Sequence, residues 1–498
     1  MSFDESSVNE RPFVPSTQSL PPEPGQSRGC LFRLVVGVVI AGLVFSLGAG
    51  AFWLLRDRLV VVMTEDQPET AVSGTSPAPG TSIDRTTPPE TAVLPTVTPS
   101  PNPVNRIVFI NANGQVETAA PDGSTRRQLT DIERTFQFPT WSPDGSQIAV
   151  IGANRGGSII YLLKDSDDAD PENPLQLYRE NNFNPFYLYW SPDGKTISFL
   201  GSHLRQGMSL NLIPAKVGGE REEILRGGPI YWQWTANGEQ ILLHAGQSGE
   251  DARLTFLDAA GHLDEDDIAL PGQFQAPGIS TDGRFLAFAE TATGDFSQLV
   301  VVDTTSGGRQ EIRHAGEIAM SWSPVGNRLA FINGSPDRES FWGPLQLFNA
   351  DTGELDLLST AMVIAYFWSP DGRYIATISA PNSSQDIIAQ QWGAWPTDGR
   401  SGKQLAQTHN FLLDLSIIDT QSGRGQKLLE FEPTFEFLSQ FLPFFDQYAL
   451  SHRIWSPDSQ YLILPFSENR QEKLYIISKD GGAAQFFADG EIGFWSQQ

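Results

Sequence analysis

The side chains in this sequence that could do chemistry are few and widely spread. Its six histidines lie in different stretches without the spacing of a metal site, and we interpret each as a structural or surface residue. No Gly-x-Ser-x-Gly occurs, so the sequence lacks the nucleophile elbow of a serine hydrolase. We therefore expect no catalytic residues, no bound cofactor and no metal. The histidines are His203, His244, His262, His314, His409 and His452.

Three acidic stretches could supply carboxylates. Asp351–Gly353 has the Asp-Thr-Gly order of an aspartic protease, but no second triplet supplies the partner carboxylate, so we interpret it as a hairpin turn. The loops Asp165–Asp170 and Asp264–Asp267 could offer oxygen ligands to calcium. Neither has the spacing of an EF-hand, because Ala169 stands where a ligand is expected. Solvated hairpin loops are the favoured interpretation of both.

The elements that position these residues follow from one repeated phrase, Trp-Ser-Pro-Asp-Gly. Ser, Pro, Asp and Gly in that order suit a type I turn, in which the proline fixes the backbone angle φ. Apolar runs precede and follow each copy, so each is the tip of a β-hairpin, and its Trp can pack neighbouring units together. Intact copies are Trp141–Gly145, Trp190–Gly194 and Trp368–Gly372, and altered copies are Trp234–Gly238, Ile279–Gly283, Trp322–Gly326, Trp455–Ser459 and the partial Trp495–Ser496.

The spacing of these copies predicts the architecture. The first six begin at positions 141, 190, 234, 279, 322 and 368, in steps of 43 to 49 residues. A period in the forties with four short strands in each unit is typical of a β-propeller. We predict an all-β, eight-bladed propeller over residues 105–498, with seven blades as the alternative.

The two ends of the propeller region are predicted to complete one blade together. The chain enters at Arg106–Ile110, a strand that normally follows the Trp turn, although no such turn precedes it. At the other end, Glu491–Trp495 is a strand of the kind that leads into a turn, with nothing after it. Pairing of the two strands would close the ring and remove a free sheet edge.

A membrane anchor is predicted ahead of the propeller. Residues 1–33 are expected to be a disordered cytoplasmic tail, and Leu34–Leu55 is apolar and long enough for one transmembrane helix. Residues 56–104 form a Pro/Thr/Ser-rich stalk, which favours an extracytoplasmic propeller on a single-pass signal-anchor. The alternative is a signal peptide cleaved near Ala49–Ala51. Cys30, the single cysteine, precedes the apolar run and is interpreted as an interfacial residue.

The repeated phrase, followed by a strand of the type Gln147–Val150, resembles the WD40-like (PD40) repeat of the TolB family. It is also similar to the propeller domain of dipeptidyl peptidase IV-type enzymes. The resemblance covers about residues 105–498 and implies a fold rather than a function. It further implies that the strand leading into each turn is innermost, near the central channel. Residues of these strands are Phe138, Leu188, Ile230, Glu317, Ala365 and Arg453.

Two functions remain open. The favoured one is a non-enzymatic binding or scaffold module for a protein, peptide or glycan outside the cytoplasm. The alternative is a propeller enzyme, a hydrolase or lyase, that uses carboxylates of the channel such as Glu317. The formal net charge of −26 disfavours nucleic acid as a partner.

The partner-binding residues are predicted in two insertions. The step from Trp368 to Trp455 is about twice the usual one, and the extra residues fall near 381–410 and 434–450. Long loops on a rigid scaffold often carry function, and aromatic side chains are good anchors for a partner. The alternative is that the aromatic side chains only pack the insertions onto the propeller. The candidates are Trp392, Trp395, Phe441, Phe444, Phe445 and Tyr448.

Overall fold

Hydrogen bonds within each turn explain why the repeated phrase forms hairpins. In the computed structural model, the Ser142 hydroxyl donates to Asp144 Oδ1 at 2.6 Å, and the Gln147 N–H donates to Ser142 Oγ at 3.0 Å. Gly145 has a φ of +68°, which a residue with a side chain rarely adopts. The same serine-to-aspartate bond recurs in four further turns, at Ser191, Ser280, Ser369 and Ser456.

The structure describes residues 105–497, except 247–251, 259, 265, 273–274, 292–296, 315–317, 335–341 and 382–411. The predicted transmembrane helix, the stalk and nearly all of the 381–410 insertion therefore lie outside the described residues. Within the described part, none of the helices has the length and apolar character needed to cross a bilayer.

The regular secondary structure of the described residues is nearly all β-strand, as predicted. The first half of the chain contributes β1 (Ile107–Asn111), β2 (Val116–Ala119), β3 (Arg127–Gln128), β4 (Thr135–Trp141), β5 (Ile148–Asn154), β6 (Gly157–Leu163), β7 (Gln176–Tyr178), β8 (Phe183–Trp190), β9 (Thr196–His203), β10 (Gly207–Pro214), β11 (Glu222–Arg226), β12 (Ile230–Trp234), β13 (Gln240–Ala245) and β14 (Arg253–Asp258). The second half contributes β15 (Gly278–Ile279), β16 (Phe285–Thr291), β17 (Ser297–Asp303), β18 (Arg309–His314), β19 (Ile318–Trp322), β20 (Arg328–Asn333), β21 (Gly343–Asn349), β22 (Leu355–Trp368), β23 (Tyr374–Ser379), β24 (Leu413–Asp419), β25 (Arg424–Phe431), β26 (Tyr461–Glu468), β27 (Gln471–Ser478) and β28 (Gln485–Trp495).

These strands pair antiparallel in chain order. Three sheets have four strands, with the orders β4-β5-β6-β7, β8-β9-β10-β11 and β15-β16-β17-β18, and β12-β13-β14 forms a sheet of three. The two larger sheets are β19 to β25 and β26-β27-β28-β1-β2-β3. The strand β22 runs through the first of these as the shared member of two consecutive repeat units, since its early residues pair with β21 and its late residues with β23.

The strand β28 closes the ring as predicted. Its residues up to Asp489 pair with β27, and its residues from Gly490 onward pair with β1. Trp495 lies opposite Ile107, and the Ser496 N–H donates to the Arg106 carbonyl at 2.8 Å. The last strand of the chain therefore supplies the innermost strand of the unit that begins with β1.

The Trp residues of the turns join neighbouring repeat units. The Trp190 indole N–H donates to the Thr140 carbonyl at 3.2 Å, one unit earlier in the chain. Trp368 makes the equivalent bond to Ser321 at 3.3 Å, and Trp455 makes it to Phe367 at 3.0 Å. Antiparallel units of consecutive strands, packed side by side into a closed ring, form a β-propeller.

Candidate functional site

A helical segment occupies the centre of the ring. Residues 434–452, called the axial segment below, connect β25 to the Trp455 turn and include α1 (Phe445–Ser451). Before α1 lie a π-helical turn, Phe437–Phe441, and a 3₁₀ turn, Leu442–Phe444. The helix α1 contacts the strands β8, β12, β19 and β22. Because these strands belong to different units around the ring, the segment lies on the axis of the propeller.

The topology fixes the end from which the axial segment enters. In an antiparallel meander, the first and third connections of each unit lie at one end of the strands, and the other connections lie at the opposite end. The Trp-Ser-Pro-Asp-Gly turns are first connections, whereas the axial segment links the last strand of one unit to the first strand of the next. It therefore enters from the end opposite the repeated turns.

The aromatic side chains of the axial segment pack against the innermost strands. Phe441, Phe445 and Tyr448 have exposed fractions of 0%, 1% and 3%, and Phe444 is half-buried. Such ring pairs add to the free energy gained from burial of apolar surface. Ring centroids are 5.8 Å apart for Phe441 and Phe367, 5.6 Å for Phe441 and Phe494, 5.2 Å for Phe445 and Tyr366, 4.9 Å for Tyr448 and Phe138, and 5.1 Å for Tyr448 and Tyr187.

Three of the aromatic residues predicted to bind a partner are buried against the propeller. With the segment docked, Phe441, Phe445 and Tyr448 cannot offer a surface to a partner, because the propeller itself covers them. Their packing agrees with the alternative that the aromatic side chains only pack the insertion onto the propeller. The segment packs at the centre of the propeller, however, and not on its side. The candidates Trp392 and Trp395 lie outside the described residues.

Polar contacts hold the middle of the axial segment. The Gln447 side-chain amide accepts from the Trp232 N–H and donates to the Trp232 carbonyl, each at 2.9 Å. The Tyr187 hydroxyl donates to the Gln447 carbonyl at 2.9 Å. Burial raises the pKa of Tyr187 well above its usual value, so this hydroxyl stays protonated and available as a donor.

The end of the axial segment is held by His452. Its Nε2 lies 3.2 Å from the Phe138 carbonyl, and its Nδ1 lies 2.7 Å from Ser451 Oγ. Since a carbonyl can only accept, Nε2 carries the proton and Nδ1 accepts from the serine hydroxyl. Burial lowers the pKa of His452 to about 4, so the imidazole is neutral. Phe138 itself has a φ of +44° within a β-bulge, a conformation that costs about 1–3 kcal/mol.

Three glutamates converge where the axial segment begins. Carboxylate oxygens of Glu436, on the segment, Glu472, on β27, and Glu491, on β28, lie within 4.8 Å of one another. Among the described residues this is the single set of three or more His, Cys, Asp and Glu side chains close enough to share an ion. Burial, together with the neighbouring carboxylates, raises the pKa of Glu472 to about 7 and of Glu491 to about 8.

A fourth carboxylate lies within the segment itself. Asp446 is 7% exposed, and its carboxylate accepts from its neighbour's main chain, the Gln447 N–H, at 2.9 Å. The Ala276 N–H, just ahead of β15, donates to it as well and lowers its pKa. Burial outweighs these bonds and raises the pKa of Asp446 to about 6.

The remaining acidic candidates have structural positions. Asp351 lies in the hairpin turn between β21 and β22, as interpreted from the sequence, where it accepts from Arg284 at 3.2 Å. Asp165, expected in a solvated loop, is instead 5% exposed at its side chain and forms ion pairs with Arg106 and Arg127. That loop therefore helps to hold β3 and the beginning of the propeller.

No protein-family profile matches the chain. The uncharacterized protein Atu1656 of Agrobacterium fabrum is 24% identical over 265 residues, which are 51% of this chain and 87% of that protein. The uncharacterized peptidase YuxL of Bacillus subtilis is 27% identical over 221 residues, which are 43% of this chain and 28% of the peptidase.

Solved structures similar to the chain include TolB from Acinetobacter baumannii, with a TM-score of 0.33, 19% identity, and coverage of 50% of this chain and 62% of TolB. They also include an oligogalacturonate lyase in complex with manganese, at a TM-score of 0.40, 14% identity, and coverage of 78% and 85%. Prolyl oligopeptidase B from Galerina marginata gives a TM-score of 0.45 and 12% identity, with coverage of 73% and 52%. The assignment of the fold rests on the strand pairing described above. A TolB protein and a peptidase, the two kinds of protein that the repeated phrase resembles, are thus both among the similar structures.

Proposed function

We propose that this protein is a membrane-anchored, extracytoplasmic TolB-like β-propeller that acts as a non-enzymatic binding or scaffold module for a protein, peptide or glycan. The observation that carries the proposal is the axial segment. A propeller enzyme that works in its channel needs that channel open to substrate, whereas here Phe441, Phe445 and Tyr448 fill it. A partner then meets the ends and outer edges of the propeller.

Eight blades fit the strand pairing. The strands β22 and β28 each pair with different neighbours along their two halves, so each counts as the last strand of one blade and the first of the next. Counted in this way, the strand pairing supports eight blades, with seven as the alternative.

Trp392 and Trp395 are the proposed partner contacts. They belong to the insertion between β23 and β24, a second connection, and the strand ends that flank it, Ser379 and Leu413, lie at the same end of the propeller as the axial segment's entry. Site-specific photo-crosslinking in the native host tests this, with benzoylphenylalanine placed at either position. Discrete adducts are expected there and not from Tyr461, which is 41% exposed beside the repeated turns. Adducts from Tyr461 alone, or from no position, contradict the proposal.

The orientation has its own test. Protease added to intact cells should remove the propeller if Leu34–Leu55 is a retained anchor and the stalk leads outward. A propeller that stays protected would contradict the orientation. A mature protein beginning near Phe52 would show cleavage of the apolar segment instead.

The second candidate is a propeller enzyme, a hydrolase or lyase. The raised pKa values of Glu472 and Glu491 favour it, because carboxyl groups that titrate near neutrality can act as general acid or base. Glu317, the channel carboxylate expected from the sequence, lies outside the described residues. Turnover of peptide or uronate-containing oligosaccharide substrates that is lost in Glu491→Gln would favour this candidate.

A further inference from the structure

We propose that the axial segment is a pH-responsive element that docks more firmly in acidic than in neutral solution and loosens further as the pH rises above neutrality. The segment packs against the innermost strands along its whole length. A titratable side chain lies at the beginning, in the middle and at the end of this interface. Glu436 lies at the beginning, Asp446 in the middle and His452 at the end. The inference is independent of whether the protein binds a partner or catalyses a reaction.

When the beginning of the segment loosens, the carboxylate of Glu436 moves away from the carboxylates of Glu472 and Glu491. The Thr434 hydroxyl donates to the Glu491 carbonyl at 3.1 Å, which fixes the segment to β28 next to the residues where that strand changes partner. Ionised carboxylates held within 4.8 Å repel one another, and movement of Glu436 away with the segment relieves that repulsion.

Glu472 and Glu491 keep their charge when they ionise, because no basic side chain among the described residues pairs with them. Lys473, the basic residue beside Glu472, pairs instead with Glu468 at 3.0 Å. The charged groups on the elements packed here are Glu432 just ahead of the segment, Glu436 of the segment, Glu468 of β26, Glu472 and Lys473 of β27, and Asp489 and Glu491 of β28.

The middle of the segment adds a carboxylate that is enclosed only when the segment is docked. Asp446 has main-chain N–H partners and forms no ion pair with a basic side chain among the described residues. The titratable group that interacts with Asp446 from the surrounding strands is Tyr366 of β22, and burial raises the pKa of this tyrosine above its usual value, so its hydroxyl stays neutral.

The direction of the pH dependence follows from the pKa shifts. Burial raises the pKa of Glu472 and Glu491 from 4.5 to about 7 and about 8, so the docked state holds protons that the open state releases. Docking is therefore strongest below the usual glutamate pKa and weakens as the pH rises through 7 to 8. Asp446, with its pKa raised to about 6, acts in the same direction.

His452 acts in the opposite direction. Burial lowers its pKa from 6.5 to about 4, so its contribution to docking is complete above 6.5 and is lost as the pH falls through 4. Over the range from about pH 4.5 to 6.5, three carboxyl groups take up protons on docking and only His452 releases one, so the carboxyl groups set the direction and docking weakens as the pH rises.

Hydrogen–deuterium exchange of the full-length protein tests the proposal. Two amides report on the segment: Leu438, bonded to the Thr434 carbonyl at 3.0 Å, and His452, bonded to the Tyr448 carbonyl at 2.8 Å. After correction for intrinsic exchange, their opening equilibrium should rise about tenfold or more from pH 5.5 to 8.5, because each full unit of pKa difference contributes up to tenfold. Amides of β1 should not change. A rise shared equally by β1, or no rise, overturns the proposal.

Matched variants identify the groups. The double variant Glu472→Gln, Glu491→Gln should remove most of the alkaline rise, whereas Glu468→Gln, on the neighbouring strand and paired with Lys473, should keep it. If the double variant does not fold, Asp446→Asn decides, since it must reduce the rise through a different group. Calcium that restores protection at pH 8.5 in the wild type but not in the double variant would show a cation site instead and overturn the proposal.

Discussion

The Gln447 side-chain amide pairs with both main-chain groups of Trp232, accepting from its N–H and donating to its carbonyl, each at 2.9 Å. The amide side chain thus forms the two main-chain hydrogen bonds that a neighbouring strand would form at the inner edge of β12. Because Trp232 is fully buried, water has no access to replace these bonds. This contact ties the axial segment to the ring at one defined position.

Replacement of Gln447 by Met should destabilise the propeller. The change keeps the length of the side chain but leaves a buried N–H and a buried carbonyl without partners, which costs about 2–4 kcal/mol in the free energy of unfolding. Chemical denaturation measures this. Gln421→Met, at an exposed turn residue, is the control and should be near neutral. Equal effects of the two variants would show that the contact does not stabilise the fold.

Phe441 and Phe444 should differ strongly although they are three residues apart. Phe441→Ala empties a fully buried site between Phe367 and Phe494 and should cost about 3–5 kcal/mol. Phe444 is half-buried, so Phe444→Ala should cost clearly less. Thermal unfolding of the two variants is the measurement. A Phe441→Ala protein as stable as the wild type would mean that the axial segment does not fill the ring in solution.

The closing strand offers a second matched pair. Trp495 is 1% exposed and Phe486, on the same strand β28, is 56% exposed. Trp495→Ala should cost about 3–5 kcal/mol, whereas Phe486→Ala should be near neutral. Deletion of residues 489–498 removes the whole innermost strand beside β1 and should lower the melting temperature further. An unchanged melting temperature after that deletion would contradict closure by β28.

Alanine substitutions at two turn glycines allow the cost of backbone strain to be measured apart from the cost of a steric clash. Gly372 and Gly283 have φ values of +67° and +73°, so a substitution to Ala strains the backbone at both. A Cβ at Gly372 would also lie 2.7 Å from Ser323 Oγ, whereas a Cβ at Gly283 would meet nothing within 4 Å. Gly372→Ala should therefore be the more destabilising, by about 1–3 kcal/mol in unfolding free energy. Equal losses would show that neighbouring turns do not pack as closely as described.

The repeated turns could be predicted from the sequence because their geometry is local. A serine, a proline, an aspartate and a glycine in fixed order determine the hydrogen bonds around Ser142 without help from distant residues. The period of the repeats then predicts the ring, and the half-units at Arg106–Ile110 and Glu491–Trp495 predict how it closes.

From the sequence alone, the axial segment is predicted as a candidate binding loop with packing onto the propeller as the alternative, and there is a physical reason why the sequence does not choose between the two. Aromatic side chains are equally suited to an exposed partner site and to an enclosed core, and the choice depends on packing across the ring that no local pattern encodes. One signal was present. Phe437, Phe441, Phe445 and Tyr448 recur at steps of four, four and three residues, which is the spacing of one face of a helix. The convergence of Glu436, Glu472 and Glu491 had no such signal, because three separate elements bring them together.

The closure of the ring by β28 also sets the order in which the chain can be completed during its synthesis. The Arg106 N–H donates to Ser496 Oγ, although the two residues are 390 positions apart. At typical ribosomal rates, the strand β1 must wait on the order of 20–80 s for its partner to be made. Throughout that interval its edge is open to any extended segment, including β28 of another nascent chain. We therefore expect exchange of this one strand between neighbouring chains as a route of misassembly, and polysomes, where such chains are crowded, are the place to look for it.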